Sequence, residues 1–339
     1  MNNEMKKSNI PQYFLCLACA AAMLLWGSCK KDTLDSSDLL IYVAGDYAST
    51  TNTVTTPFLH TPAGVSGDSV IRVAASATRD VVAAVDVTFT ADTTLVAQYN
   101  QVNKTNCIAL PANTYNIVNP GKHTIAVGAL TSDSLEVDIT DPASLTNPGG
   151  YLLPLTITAI TGKDKGVRIS TNKKTVFINV TYSYTNIFVS QTPTAAALLA
   201  RTGWSVTVSN TTSGSLGPAM LDGSNSTAWR SSNSSAAAKY AIVNIAAIQT
   251  ISGLQLIPDY VSTGDNPTQI KVSTSTDSTT WTVQGIWTGT GPATGTNAAN
   301  PDKKGINFIA PVQAKYFRFD ITAWVSGSRT GIGEVYATQ

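Results

Sequence analysis

The chain has 339 residues, and its 22 basic and 21 acidic side chains nearly cancel. A chain without a basic excess lacks the electrostatic signature of a nucleic-acid-binding protein. Charged residues make up 13% of the chain, against about 25% in a typical soluble domain. The hydrophilic surface must therefore be built from threonine, serine and asparagine, a composition typical of secreted β-proteins.

The side chains that usually carry acid and base catalysis are scarce. The two histidines, His60 and His123, are too few for a histidine-rich metal triad. If the first residues are removed as a signal, a glutamate pair for glycoside hydrolysis must come from Glu136 and Glu334. A pair of aspartates remains open. No phosphate-binding loop and no Gly-x-Ser-x-Gly motif is present, so the sequence favours a protein that is not an enzyme.

Residues 1–28 have the layout of a secretory signal peptide. A basic start is followed by the apolar run from Tyr13 to Leu25, and small residues then precede Cys29. The end of this segment resembles a bacterial lipobox, which implies that Cys29 is acylated and becomes the first residue of the mature protein. Residues 29–37 would then form a polar tether. A plain secreted protein cleaved nearby, or a short signal anchor, is the alternative.

Cysteine usage agrees with this interpretation. Once the signal has been removed and Cys29 carries lipid, Cys107 is the one cysteine left. We therefore predict no intramolecular disulfide, although the compartment is oxidising. Cys107 is interpreted as a small buried hydrophobic residue.

Residues 38–186 alternate apolar and polar side chains in short runs, which is the period of half-buried strands. Clear examples are residues 85–89, 135–139 and 176–182, separated by turn sequences such as Asn119-Pro120-Gly121. No run in this block has a sustained helical period. We therefore predict an antiparallel sandwich of about seven strands.

The same block resembles the domain of unknown function 1735, found at the N-terminus of Bacteroidetes surface lipoproteins. The motifs that carry the resemblance are Tyr99-Asn100 with Asn103, Leu110–Tyr115 and Gly150–Leu155. It implies an immunoglobulin-like β-sandwich and no known chemistry. We interpret Tyr99, Asn100 and Tyr115 as core and turn positions, with a ligand site as the alternative.

Residues 187–202 are predicted to be a linker that contains a short helix. Thr192 is a suitable N-cap, Pro193 suits the first helical position, and residues 194–201 are rich in alanine and leucine. Gly203 would end the helix.

Residues 203–339 resemble the coagulation factor 5/8 type C, or discoidin, domain, a group that includes carbohydrate-binding modules of family 32. The motifs, in chain order, are Trp204–Ser209, Leu221–Ser231, Ile270–Asp277 with Trp281, Tyr316–Phe319 and Ile332–Val335. One departure is Asn244-Ile245-Ala246, where the family usually has Asp-Leu-Gly. The resemblance implies a β-sandwich of the jelly-roll type, so the whole chain is predicted to be all-β.

The resemblance also implies a structural Ca²⁺ ion. Its ligands would be Asp222, Asn225, Thr227 and the distant Glu334, with backbone oxygens completing the shell. Calcium takes about six to eight oxygen ligands, and tight loops rich in glycine, serine and asparagine expose suitable carbonyls. The alternative is that Asp222 caps a turn and Glu334 pairs with a nearby cation.

Sugar recognition needs a flat apolar ring to stack on and planar polar groups to hold hydroxyls. The candidate residues of this block are Arg230, Asn233, Tyr260, Trp287, Trp324 and Arg329. Trp324 and Arg329 share one loop, which places both at one rim of the sandwich. Trp229 and Trp281 fall on framework positions and are interpreted as core.

Together these features predict a non-catalytic glycan-binding lipoprotein of the outer membrane, exposed at the cell surface through its lipid anchor. The N-terminal sandwich would be a spacer, and a glycan-uptake complex is a candidate partner. An adhesion protein that binds a protein partner through the same loops is the alternative, because a fold does not determine a function.

Overall fold

The computed structural model describes residues 38–43, 45, 52–162, 164–233 and 238–339. The signal sequence, the predicted lipidation site Cys29 and the tether lie outside the described residues. The described ranges are built from strands with one short α-helix, so the all-β prediction is confirmed. No helix within these ranges is both long and apolar enough to cross a bilayer.

The N-terminal half contains thirteen strands and the helix. The strands are β1 Leu39–Val43, β2 Thr53–Thr61, β3 Gly64–Ser66, β4 Val70–Val73, β5 Ala75–Ala77, β6 Val85–Ala91, β7 Ile108–Ala109, β8 Tyr115–Ile117, β9 Lys122–Ile125, β10 Leu135–Ile139, β11 Tyr151–Gly162, β12 Val167–Ile169 and β13 Thr175–Tyr184. The helix, α1, spans Leu95–Asn103, and Pro142–Ser144 form a 3₁₀ turn.

These strands form an immunoglobulin-like sandwich. A seven-stranded sheet has the order β3-β2-β13-β11-β6-β9, with β7 also paired to β11. Two three-stranded sheets, β12-β1-β5 and β4-β10-β8, complete the domain. Alternate residues of all three sheets, such as Ile41, Val137 and Leu153, meet in one buried cluster. The period-two pattern in the sequence is the pattern of this core.

Helix α1 lies in a block where the sequence predicts only strands, so that part of the prediction is wrong. Its buried residues Val96 and Tyr99 pack with Cys107 and Leu152 in a small separate cluster. Leu152 alternates along β11 with Leu153 of the main core, so α1 covers the other face of the sheet. Cys107 is a buried free thiol, as predicted.

The predicted linker helix is also absent, because residues 187–202 run in extended form along the C-terminal sandwich. Ile187 bridges Phe308, and Leu198 bridges Thr338. The Leu199 amide donates to the Ala337 carbonyl at 2.9 Å. Hydrogen bonds to the neighbouring strands therefore override the helical propensity of the alanine-rich segment.

The C-terminal half contains eight strands. They are β14 Ser205–Val208, β15 Trp229–Arg230, β16 Tyr240–Ile257, β17 Pro267–Ser275, β18 Thr282–Thr288, β19 Lys304–Trp324, β20 Gly331–Ile332 and β21 Glu334–Thr338. The C-terminal half also has two 3₁₀ turns, Gly217–Met220 and Thr263–Asp265.

These strands form the discoidin-type sandwich. The main sheet has the order β14-β16-β19-β17-β18, with β21 also paired to β16, and β15 pairs with β20. Trp229, Phe317 and Phe319 are fully buried in its core. The register of β16 against β19 shifts after Asn244, and Ala246 there has a φ of 70°. This conformation favours glycine, which explains why the discoidin family usually has Gly at that position.

Asn186 joins the two halves of the chain. Its side chain is buried and contacts β18 and the middle of β19. Nδ2 donates to Gln284 Oε1 and to the Ala310 carbonyl, both at 2.9 Å, and Oδ1 accepts from the Ala310 amide at 2.8 Å. The preceding residue, Thr185, donates its amide to the His60 carbonyl of the N-terminal domain at 3.0 Å. The junction is therefore held from both sides by direct hydrogen bonds.

Candidate functional site

Four loops meet at one edge of the C-terminal sandwich, and we call this edge the loop rim. It comprises residues 222–233, 259–266, 289–303 and 324–330. Asn225 Nδ2 donates to the Ala298 carbonyl at 3.0 Å, which ties the first loop to the third. The Val325 amide donates to the Asn266 carbonyl at 3.0 Å, which ties the fourth loop to the second.

A buried charge network holds the middle of the rim. Arg230 donates Nε and Nη2 to the two carboxylate oxygens of Asp259, which is fully buried. Asp265 lies 3.9 Å from Arg230 Nε and accepts from Arg329 Nε at 2.7 Å. Asp259 strengthens the charged form of Arg230 and raises its pKa, against the opposing effect of burial. Arg230 was predicted to bind sugar, but two of its guanidinium nitrogens are bonded to a structural partner, Asp259.

Arg329 differs from Arg230 in that its fork is still open. Its side chain is one-third exposed and Nε is fixed by Asp265. Its two terminal nitrogens have no hydrogen-bond partner among the described residues. Arg329 thus offers pre-oriented donors at the rim, and its assignment as a sugar-binding residue stays a prediction.

Trp324 lies in the same loop and is half-buried. Its Nε1 donates to the Gly327 carbonyl at 3.0 Å, which fixes the plane of the ring. The ammonium of Lys239 lies 5.3 Å from the centroid of that ring, within the range of a cation–π contact. Lys239 also donates to the Ser232 carbonyl at 3.1 Å, and burial lowers its pKa. Lys239 was missed in the sequence, where it reads as an ordinary residue before a strand.

The other predicted sugar-binding residues are placed differently. Trp287 is 3% exposed and belongs to the hydrophobic core, with Nε1 donating to the Gly305 carbonyl at 2.9 Å. Its prediction as a stacking residue is wrong, because no face of the ring is open. Tyr260 is half-buried and its hydroxyl accepts from the Asp302 amide at 2.5 Å. Asn233 is exposed on the rim.

The two framework tryptophans also differ. Trp229 is fully buried and donates Nε1 to the Asn210 carbonyl at 2.9 Å, as predicted for a core residue. Trp281 is half-buried at the turn between β17 and β18 and does not belong to the buried core. The core interpretation therefore holds for Trp229 and is wrong for Trp281.

The structure brings together three of the four predicted calcium ligands. Asp222 Oδ1 accepts from the Ser224 amide at 2.8 Å, and the Thr227 hydroxyl donates to the same carboxylate. Glu334 is fully buried, and its Oε1 accepts from the Gly223 amide at 2.8 Å. Asn225 is used elsewhere, since its amide bonds the third rim loop.

A cation from the chain itself already lies at this position. Arg201 donates Nη1 to Glu334 Oε2, and the same nitrogen lies 3.5 Å from the Met220 carbonyl oxygen and 3.4 Å from that of Val335. The guanidinium carbon stacks 4.1 Å from the centroid of the Tyr336 ring. This is the alternative stated from the sequence, in which Glu334 pairs with a cation and Asp222 caps a turn.

The Arg201 guanidinium acts on both carboxyl groups of the cluster. Burial raises the pKa of Glu334, and Arg201 opposes that rise. Partial burial also acts on Asp222, but the Ser224 amide and the Thr227 hydroxyl outweigh it and lower its pKa. No group of three or more acidic, histidine or cysteine side chains suited to a metal is found in the described ranges. These residues do not fit a calcium ion as they are arranged, because Arg201 already holds one carboxylate oxygen of Glu334 and the Gly223 amide holds the other.

The fold and the rim together define a two-domain all-β protein whose second domain gathers four loops at one edge. Family models agree: one for an N-terminal domain matches residues 34–164, and one for the F5/8 type C domain matches residues 205–335. Residues 205–335 are therefore similar to the F5/8 type C domain, and both resemblances stated from the sequence are confirmed. No curated protein matches the chain.

Three solved bacterial structures are similar to the chain or to part of it. A two-domain protein of unknown function from Bacteroides fragilis is 15% identical, with a TM-score of 0.57, and the match covers 98% of this chain and 100% of that one. A family 32 module from a Clostridium perfringens family 31 glycoside hydrolase is 18% identical over 42% of this chain and 94% of that one, with a TM-score of 0.37. The family 32 module of C. perfringens NanJ, solved with galactose, is 15% identical over 42% of this chain and 98% of that one, with a TM-score of 0.36. At these identities the similarity to the Bacteroides structure concerns the fold.

Proposed function

We propose that the protein is a non-catalytic glycan-binding protein whose sugar site is formed by Trp324 and Arg329, with the buried Lys239 supporting the Trp324 ring. The observation that carries the proposal is their convergence on one rim of an F5/8 type C domain. A half-exposed aromatic ring with a fixed plane shares one rim loop with an arginine that has open, pre-oriented donors. Similarity to a family that includes carbohydrate-binding modules supports the same assignment.

The mechanism follows from the chemistry of these groups. The accessible part of the Trp324 ring packs against the apolar C–H face of a pyranose, while Arg329 and Asn233 hydrogen-bond its hydroxyls. Fixing the arginine in advance lowers the entropy lost on binding. Such a shallow site binds a single sugar weakly, and many copies on one membrane raise the effective affinity.

The cellular setting is a second part of the proposal. Acylated Cys29 anchors the protein in the outer membrane, with residues 30–37 as tether, and the immunoglobulin-like domain holds the sugar site away from the lipid. Asn186 is bonded to the C-terminal domain, and the neighbouring Thr185 amide is bonded to the His60 carbonyl of the N-terminal domain. These bonds support a rigid spacer rather than a loose hinge. At the cell surface the protein would deliver glycans to an uptake complex.

Replacing Cys29 with serine should remove the anchor. Expressed in a bacterium that lipidates such signals, the wild type is expected in the outer-membrane fraction and labelled by radioactive palmitate. The Cys29→Ser variant should be unlabelled and leave the membrane fraction. Cys107→Ser is the matched control, since Cys107 is buried in the protein; equal labelling of all three proteins would contradict the anchor at Cys29.

Truncating the proposed site should weaken sugar binding without unfolding the protein. We expect Trp324→Ala and Arg329→Met each to weaken binding at least about 10-fold, because a charge-assisted hydrogen bond or a stacked ring is worth about 1.5–3 kcal/mol. Isothermal titration with a sugar that binds the wild type measures the loss. Trp281→Ala is the control, since Trp281 is a half-buried tryptophan at the turn between β17 and β18. Normal binding by both rim variants would exclude this site.

A protein partner is the second candidate function. Two apolar side chains protrude from the rim, Val261 with 63% and Val325 with 48% of its surface exposed. Protruding apolar residues suit a protein surface better than a hydroxylated sugar. In an adhesion protein Val261→Asp would abolish partner binding, whereas sugar binding through Trp324 would survive it.

A further inference from the structure

We propose that Arg201 is a built-in substitute for a structural metal ion, so that this discoidin domain holds its first rim loop without calcium. The inference concerns the assembly of the domain and is independent of the proposed sugar binding. It starts from the disagreement between the calcium ligands implied by the family and the arrangement of the same residues in this chain.

Three oxygens surround the Arg201 guanidinium. The guanidinium faces one side-chain oxygen of Glu334 and the carbonyl oxygens of Met220 and Val335. These three come from two separate parts of the chain, the turn before the first rim loop and strand β21. A hard cation would be held in that place by the same kinds of oxygen. The guanidinium therefore performs the bridging that an ion would otherwise perform.

The ion pair between Arg201 and Glu334 is buried. Glu334 is fully buried, and the Arg201 side chain is 16% exposed. A carboxylate removed from water needs a fixed positive partner, and leaving it alone is strongly destabilising. Glu334 also connects Arg201 to the rim loop, because its other carboxylate oxygen accepts a hydrogen bond from the Gly223 amide. One arginine thus positions both the carboxylate and the loop.

The backbone on both sides of Arg201 is held by hydrogen bonds. Arg201 lies at the end of the extended linker segment, two residues after Leu199, whose amide bonds β21. Its carbonyl accepts the Trp204 amide at 3.2 Å in the turn that starts the domain. The ring of Tyr336 packs on the other side of the guanidinium. Backbone and ring contacts therefore hold the arginine in place. Its positive charge is part of the chain, so the site needs no ion from solution.

Thermal unfolding of the full chain, purified in detergent, tests this directly. We expect the melting temperature of the wild type to be the same in EDTA as in calcium chloride, and elemental analysis to find no stoichiometric calcium. Arg201→Met keeps the apolar stem but removes the charge, and it should lower the melting temperature by roughly 6 °C or more. The matched control is Arg318→Met, where the pair with Asp320 is partly exposed, with side chains 32% and 23% accessible.

Two results would overturn the proposal. One is a wild type that melts at a lower temperature in EDTA or retains one calcium per chain after dialysis. The other is an Arg201→Met variant that melts no lower than the Arg318→Met control. The two measurements on the wild type decide the question even if Arg201→Met fails to fold. Loss of sugar binding has no bearing on either result.

Discussion

Replacing Asp259 with alanine should lower the free energy of unfolding of the C-terminal domain by about 3–5 kcal/mol. Asp259 is fully buried and accepts two hydrogen bonds from Arg230. It also accepts the amides of Val261 at 2.8 Å and Ser262 at 3.1 Å. The variant leaves the guanidinium without its partner and two loop amides without an acceptor, so both the pair and the loop are lost together.

Urea unfolding followed by tryptophan fluorescence measures this loss. Asp320→Ala is the matched control, because Asp320 also pairs with an arginine, Arg318, on the same domain but both side chains remain accessible. Its loss should cost no more than about 1 kcal/mol, since water replaces the missing partner. Equal destabilisation by the two variants would mean that burial does not determine how much these ion pairs contribute to the free energy of unfolding.

Replacing Asn186 with alanine should be the second most damaging change, with a loss of about 3 kcal/mol or more. One buried group, the Gln284 side-chain oxygen, and two partly buried groups, the backbone amide and carbonyl of Ala310, lose their partners. Each unpaired buried group costs about 1–3 kcal/mol. Because Asn186 lies at the junction, the variant should also loosen the contact between the two halves of the chain.

Calorimetry and limited proteolysis are the two measurements for this variant. We expect a lower melting temperature and faster cleavage within residues 185–190. Asn119→Ala is the control: Asn119 makes a similar pair of bonds, to the Ser134 carbonyl at 2.7 Å and from the Glu136 amide at 2.8 Å, but on an exposed turn. If Asn186→Ala resembles Asn119→Ala in both measurements, the junction is not held as described.

Much of the fold was predictable because half-buried strands alternate. The runs around residues 85–89 and 135–139 are strands β6 and β10, with every second residue buried. Helix α1 was missed because it buries only Val96 and Tyr99, too few to give a helical period in nine residues. A usable signal was present in β11, where Tyr151–Ile157 are buried on both faces and therefore need a covering element.

The linker shows the opposite error. Alanine and leucine at residues 194–201 favour a helix, but intrinsic propensity is worth less than about 1 kcal/mol per residue. Backbone bonds to β21 and the buried pair of Arg201 outweigh it. Contacts of this kind join residues 133 positions apart, and no local pattern reveals them.

The candidate site was predictable in location more than in composition. The short glycine- and serine-rich stretch that joins them predicted Trp324 and Arg329 on one loop of the sandwich, and the structure places both on the loop rim. Trp287 was misassigned because a glycine-rich stretch follows it, although its alternation with exposed Ile286 in β18 marks it as a core residue. Lys239 and Asp265 were missed since their roles depend on partners from other loops.

A glycan-array screen of purified residues 30–339 tests the central claim most directly. The wild type should bind a related set of terminal sugars, and it should do so equally with calcium and with EDTA. Trp324→Ala and Arg329→Met should lose that binding, while Trp281→Ala should retain it. A silent array with protein that shows a cooperative melting transition would contradict the glycan-binding function and favour a protein partner at the same rim.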